Sequence, residues 1–177
     1  MKKKGWISLA ALTLVLCCAI GGTLAWLTDR TDPVTNTFTI GDINITLEET
    51  PAEYKMVPGN EISKDPTVTV KGGSEACWLF VLVEKSENFD EFLTYEMADC
   101  WTALEGAEGL YWRKVEASGA DQAFAVLKDN KVTVPDTVTK EMLTAEDFVS
   151  PTLTFTAYAV QQDNIAGAAE AWAKASF

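Results

Sequence analysis

The first 27 residues constrain this chain most, because they have the layout of an export signal. Three lysines at positions 2–4 precede an uncharged, mostly apolar run over residues 6–27, and small residues close that run. A cleavage site fits between Ala25 and Trp26, with small residues at the positions that signal peptidases require. We therefore expect residues 1–25 to be a signal peptide and the mature protein to be secreted or held at the cell surface.

The same run allows a second interpretation, an uncleaved membrane anchor. At about 1.5 Å per residue, a helix over residues 6–27 just spans a hydrocarbon core of about 30 Å. The lysines would then hold its start on the cytoplasmic side. Both interpretations place residues 28–177 outside the cytosol, and we expect membrane contact only through the signal segment.

The charge of the mature chain restricts its partners. Removing residues 1–25 removes three lysines and no acid, so 11 basic residues remain against 26 acidic ones, a net charge of −15. A surface this acidic repels nucleic acid and anionic lipid headgroups. The charge favours solubility or a cationic partner, and we expect no nucleic-acid binding.

The chain contains no histidine, which restricts its chemistry. This absence removes the Ser-His-Asp and Cys-His nucleophile systems and every zinc site with a histidine ligand. It also removes the usual general base near neutral pH. We therefore predict no catalytic residue, no cofactor and no metal ligand.

Two of the four cysteines remain after export, Cys77 and Cys100. Outside the cell these two residues can pair in a disulfide. Because the two cysteines have no CxxC spacing, buried free thiols in strands are an equally good interpretation. The sequence leaves both alternatives open.

Alternating apolar residues predict a β-rich domain over residues 35–177. Residues 76–83 are apolar on both faces and predict a central strand. Residues 152–161 form the clearest amphipathic strand, with Leu153, Phe155, Ala157 and Ala159 on one face. Residues 165–177 change to a helical period, and Glu170 and Lys174 are expected to form an i,i+4 ion pair there. Many short strands with little helix predict an antiparallel β-sandwich with a short C-terminal helix.

Finer predictions concern the irregular middle and the end of the chain. Turn residues predict two hairpins, one between residues 95–104 and 110–116 and one between residues 123–128 and 131–134. Residues 140–148 predict a short helix. Asp163 or Asn164 is expected to cap the C-terminal helix.

Four stretches of the sequence, taken in their order and spacing, indicate a resemblance to a known family. They are GGTLAWLTD at residues 21–29, NTFTIGDI at 36–43, VPGNEISKD at 57–65 and LTFTAYAVQQ at 153–162. Together they resemble the TasA/camelysin (CalY) family of secreted Gram-positive matrix proteins. Residues 84–150 lie outside this resemblance.

The resemblance implies a jelly-roll-like sandwich, export through the dedicated signal peptidase SipW, and an extracellular fibre of the biofilm matrix or cell surface. In TasA-like fibres each subunit lends its N-terminal segment to its neighbour as an added strand, so the partner is another copy or a related subunit. Here that donor begins with the extended segment 26–34 and has Trp26, Phe38 and Ile40 as apolar contacts. Residues 26–33 either donate in this way or stay unstructured, whereas residues 43–47 are expected to belong to the subunit's own sandwich.

Two other function classes stay open at this point. The name camelysin implies a surface metallo-endopeptidase, but a zinc protease needs His-Glu-x-x-His or an equivalent set of ligands, which a chain without histidine lacks. The other class is a monomeric adhesin or binding module on a membrane anchor. We expect a structural protein and not an enzyme.

Overall fold

The computed structural model describes residues 42–50 and 54–175. The predicted signal segment, its cleavage site between Ala25 and Trp26, and the donor residues Trp26, Phe38 and Ile40 lie outside the described residues. Within them the fold is mostly β, so the predicted all-β class is confirmed. The strands are β1 (Ile45–Glu48), β2 (Glu61–Ser63), β3 (Thr67–Val70), β4 (Cys77–Lys85), β5 (Thr102–Ala103), β6 (Leu110–Val115), β7 (Gln122–Ala125), β8 (Lys131–Thr133) and β9 (Leu153–Gln161).

All of these strands pair antiparallel in three sheets. One sheet has the order β1-β3-β7, the second has the order β5-β6-β4-β9, and the third is the pair β2-β8. Strand β4 is central, because it pairs with β6 on one side and with β9 on the other. The predicted central strand is confirmed, although it continues two residues further, to Lys85.

The main core lies between the three-stranded and the four-stranded sheet. Val68 of β3 and the alternate residues Leu79 and Val81 of β4 are fully buried there. The predicted inward face of β9 packs on the same core. That face consists of Leu153, Phe155, Ala157 and Ala159.

Short helices complete the described fold. They are α1 (Phe89–Phe92), α2 (Lys140–Leu143) and α3 (Ala168–Lys174), with a 3₁₀ turn at Lys128–Asn130. Helix α3 covers the outer face of the four-stranded sheet, where the Trp172 ring lies 5.2 Å from the Phe80 ring, centre to centre. The predicted C-terminal helix is therefore confirmed, and so is its Glu170–Lys174 ion pair at 2.6 Å.

The predicted cap of α3 is wrong. The helix begins after Gly167, and no side chain caps its N-terminus. Asn164 instead adopts a left-handed conformation with φ of 61° in the turn before the helix. Asparagine tolerates this conformation better than most residues. Asn164 therefore shapes the turn before the helix and does not cap the helix.

The predicted hairpin between residues 123–128 and 131–134 is also wrong. The turn at Asp129–Asn130 exists, with left-handed φ at both residues, but β7 pairs with β3 and β8 pairs with β2. Thr94 and Met97 bridge to Thr133 and Leu127 and occupy the positions where a hairpin would pair.

Two further elements are shorter than predicted. The hairpin of β5 and β6 forms, but β5 has only two residues because the segment before it bridges to other parts of the chain. Helix α2 ends at Leu143, and residues up to Phe148 continue as turn. Its first turn is capped by Thr139, whose hydroxyl accepts from the Met142 amide at 3.4 Å.

We expect Gly109→Ala to destabilise the fold by about 1–3 kcal/mol more than Gly106→Ala does. Both glycines have positive φ, 72° and 81°, so both substitutions carry the cost of a left-handed alanine. Only at Gly109 would the new Cβ collide with the Val83 carbonyl oxygen, while nothing lies near that of Gly106. Urea unfolding of the two variants measures the difference, and equal losses would contradict the close approach.

Candidate functional site

One lateral edge of the two main sheets is formed by β1 and β9. Strand β1 ends the three-stranded sheet, β9 ends the four-stranded sheet, and the two strands pack against each other. Among residues 42–50 and 54–175, β1 pairs only with β3 and β9 only with β4. No other strand of this part of the chain covers the outer side of either one, so we call this edge the open edge.

Strand β9 lacks the charged residues and chain-breaking residues that commonly protect a sheet edge. It runs for nine residues, Leu153–Gln161, without a charged residue, a proline or a glycine. Natural edge strands are usually short, charged, bulged or broken by proline, because a long flat edge pairs with other chains. The opposite edge of the same sheet follows that rule, since β5 has only two residues.

The inward side chains at the open edge are incompletely covered. Val81 and Val83 of β4 are 0% and 5% exposed, whereas their β9 partners Ala157 and Phe155 are only half-buried. Leu47 of β1 is half-buried in the same way. An added strand at this edge would bury apolar surface that the described residues leave partly exposed.

A cleft of about 270 Å³ lies between the two strands at one end of the open edge. Leu47 and Pro66 line one side, and Leu153 and Phe155 line the other. A second cavity of about 230 Å³ shares Leu153 and continues among Met56, Ile62, Phe89 and Leu93. Each space combines apolar side chains with a polar border, formed by Glu48, Glu49 and Thr154 at the cleft and by Lys64 and Ser150 at the second cavity. The apolar part of the lining can receive apolar groups from an extended peptide.

A polar cluster borders the cleft. The Lys64 ammonium lies 2.7 Å from the Glu49 carboxylate and 5.5 Å from the centre of the Phe155 ring. The Tyr54 hydroxyl also donates to Glu49. Desolvation raises the pKa of Tyr54 to about 12, and its hydrogen bond to Glu49 adds to that rise, so Tyr54 stays a neutral donor. The cluster gives this end of the cleft a fixed polar border.

Asp65 holds the chain after β1 in place. Its carboxylate accepts from the Thr50 hydroxyl at 2.7 Å and from the Thr50 amide at 3.0 Å. These bonds, the side-chain one first, hold the pKa of Asp65 below its ordinary value. The ionised Asp65 carboxylate therefore fixes the position of Thr50, in the chain that follows β1.

We expect Asp65→Ala to lower stability at neutral pH and to have a much smaller effect at about pH 2. The folded pKa is lowered, so the stabilisation is fully present above the ordinary pKa of Asp65 and is lost as the pH falls through the folded value. Urea midpoints of the wild type and the variant at both pH values measure the effect. A difference that does not shrink in acid would contradict the assigned bonds.

The two mature cysteines lie in different environments. Cys77 is buried at the start of β4, where burial raises the pKa of its thiol to about 11. Cys100 is exposed in a turn, and both thiols are free. Only Cys77 is a buried thiol in a strand, as one of the two alternatives expects; Cys100 lies at the surface, outside any strand.

The described residues offer little for metal chemistry. No group of three or more Cys, Asp or Glu side chains in residues 42–50 and 54–175 is arranged to hold a metal ion. Across the same ranges, no helix has the length and apolar character needed to cross a bilayer. Neither finding bears on residues 1–41.

Comparison with the known protein families, with curated proteins and with solved structures finds no match to this chain. The open edge therefore has to be interpreted from its own geometry. The alternation of residues 152–161 predicts which β9 side chains face the core, and the structure confirms it. That β9 ends its sheet was not predicted, although its lack of charge is visible in the sequence.

Proposed function

We propose that this protein is an exported structural subunit that assembles by accepting a neighbour's N-terminal segment, residues 26–40, as a strand at the open edge. The observation that carries the proposal is β9, a nine-residue edge strand with no charge, proline or glycine and with half-buried inward side chains. Such an edge is a binding surface for an extended peptide, because backbone hydrogen bonds supply affinity and alternate side chains supply register.

The acceptor needs apolar side chains from its partner at alternate positions. The half-buried residues Leu47, Phe155 and Ala157 face the core at the open edge, where they would lie beside the inward side chains of an added strand. The donor segment supplies Phe38 and Ile40 two residues apart, on the same face of an extended strand. Trp26 lies further along the segment and is the third apolar group.

Donation between copies produces a filament. Each subunit uses one surface to donate and a different one to accept, and a head-to-tail contact that does not close gives an open chain. Cleavage after Ala25 would free the donor only after export, which restricts assembly to the outside of the cell. A jelly-roll-like connection of the sheets and a place in a biofilm matrix or surface coat belong to this proposal.

The test is electron microscopy of the secreted protein, with its N-terminal residue determined by sequencing. We expect Trp26 at the N-terminus and ordered filaments. Deleting residues 26–40 after the cleavage site should remove the filaments while circular dichroism keeps the strand signal of the folded subunit. Filaments that survive the deletion would exclude this donor, and a monomer with a retained leader would favour the anchored adhesin.

A further inference from the structure

A groove of about 610 Å³ lies beside α1, between the chain that follows β4 and the loop that precedes β9. We call it the acidic groove and define it by six of its lining residues, Glu87, Glu91, Phe92, Met142, Asp147 and Val149. It shares no lining residue with the cleft at the open edge. The inference that follows does not rest on the proposed assembly.

The acidic groove is held in shape by bonds between its two sides. The Asn88 side-chain amide donates to the Val149 carbonyl at 2.7 Å. The Thr152 amide donates to the Ser86 hydroxyl at 2.9 Å. The Phe92 and Phe148 rings pack edge to face with centres 5.2 Å apart. The groove is therefore present before any partner binds, which lowers the entropic cost of binding.

Apolar side chains at the acidic groove are exposed to solvent. Met142 is 37% exposed and Val149 is 69% exposed, and Phe92 lies buried beneath them. Among the described residues only two other large apolar side chains, Tyr54 and Val57, are comparably exposed. Exposed apolar groups gathered at one groove and rimmed by polar residues are typical of an interaction site.

The rim of the acidic groove carries charge of one sign. Glu87, Glu91 and Asp147 line it, no lysine or arginine does, and none of the three forms an ion pair within residues 42–50 and 54–175. The nearby Lys85 ammonium forms an ion pair with the Asp90 carboxylate at 2.7 Å, so it does not neutralise the groove. A partner that covers the exposed apolar residues must therefore bring positive charge to three unneutralised carboxylates.

We propose that the acidic groove binds a basic peptide segment of another protein, with an apolar side chain against Met142 and Val149 and lysines or arginines on the three carboxylates. Charge complementarity decides the occupant. After residue 25 the basic residues of this chain are scattered, with no more than two adjacent, so a second copy offers no strongly basic segment. An anionic membrane surface is repelled by the three carboxylates. A cationic segment with apolar side chains satisfies both properties of the groove.

The test is a fluorescence anisotropy titration of the secreted protein with a labelled synthetic peptide of alternating lysine and leucine. We expect binding that weakens with added salt. The triple variant Glu87→Gln, Glu91→Gln, Asp147→Asn should weaken binding about tenfold. The control is Glu75→Gln, Glu105→Gln, Glu108→Gln, which removes the same charge from exposed acids elsewhere and should change affinity by less than about twofold.

A second pair of variants tests the apolar contact. Met142→Ser with Val149→Ser should weaken binding about tenfold, whereas Val57→Ser, at a residue 47% exposed outside the groove, should not. Chemical-shift mapping on the unaltered protein should place the peptide on residues 86–92 and 142–149. Equal losses from both acidic triples, no loss from the serine pair, or shifts elsewhere would overturn the proposal, as would self-association through this groove.

Discussion

Ala157→Lys is expected to abolish filament assembly and to leave the subunit folded. Ala157 lies in the middle of β9, faces the core and is only half-buried, so a lysine there brings its charge to the surface that an added strand would cover. A charged side chain at an edge is one of the ways in which natural sheets block strand addition. The long apolar stem of lysine can reach solvent at this edge, so the fold should survive.

The matched control is Ala103→Lys. Ala103 is exposed on β5, the opposite edge strand of the same sheet, so this variant makes the same change of size and charge at the wrong edge. Electron microscopy and sedimentation compare the two variants, and thermal unfolding checks that both fold. Filaments from Ala157→Lys, or their loss in both variants, would contradict acceptance at β9.

Phe80→Ala is expected to lower the free energy of unfolding by about 3–5 kcal/mol. Phe80 is 0% exposed on β4 and packs against Trp172 of α3, so its removal leaves a cavity beneath the helix. The surrounding strands hold β4 on both sides and cannot collapse far into that space. The expected loss is a large share of the total free energy of unfolding of a domain of this size.

Urea unfolding of Phe80→Ala and of a surface control, Val57→Ala, measures the effect. Val57 is 47% exposed, and we expect a change within about 0.5 kcal/mol there. The tryptophan emission of the folded protein should also change, because Phe80 packs against Trp172. A destabilisation below about 1 kcal/mol would mean that α3 contributes little to the outer face of the sheet.

Patterns confined to single strands were predictable from the sequence, and pairings between distant segments were not. The alternation of residues 152–161 assigns the core face of β9 because side chains alternate along any strand. The turn at Asp129–Asn130 was recognisable for the same local reason. Its flanking strands pair elsewhere because Thr94 and Met97 compete for their edges, a contact that no local pattern reveals.

At the candidate site, too, features of a single strand were predictable and contacts between distant strands were not. The lack of charge in β9 is written in the sequence, but its exposure at an edge depends on the order β5-β6-β4-β9. The cleft depends on β1 and β9 meeting from two different sheets. The predicted donor residues Trp26, Phe38 and Ile40 lie outside the described residues, so their role stays a prediction.

The most direct measurement of the central claim is a site-specific cross-link inside assembled filaments. A photoreactive amino acid at the exposed position 154 of β9, in filaments mixed from isotope-labelled and unlabelled subunits, reports by mass spectrometry which segment lies against the open edge and whether it comes from another copy. We predict links between labelled and unlabelled chains that join β9 to residues 26–40. Links within a single chain only, or links from β9 to any other segment of the neighbour, would contradict donation at this edge.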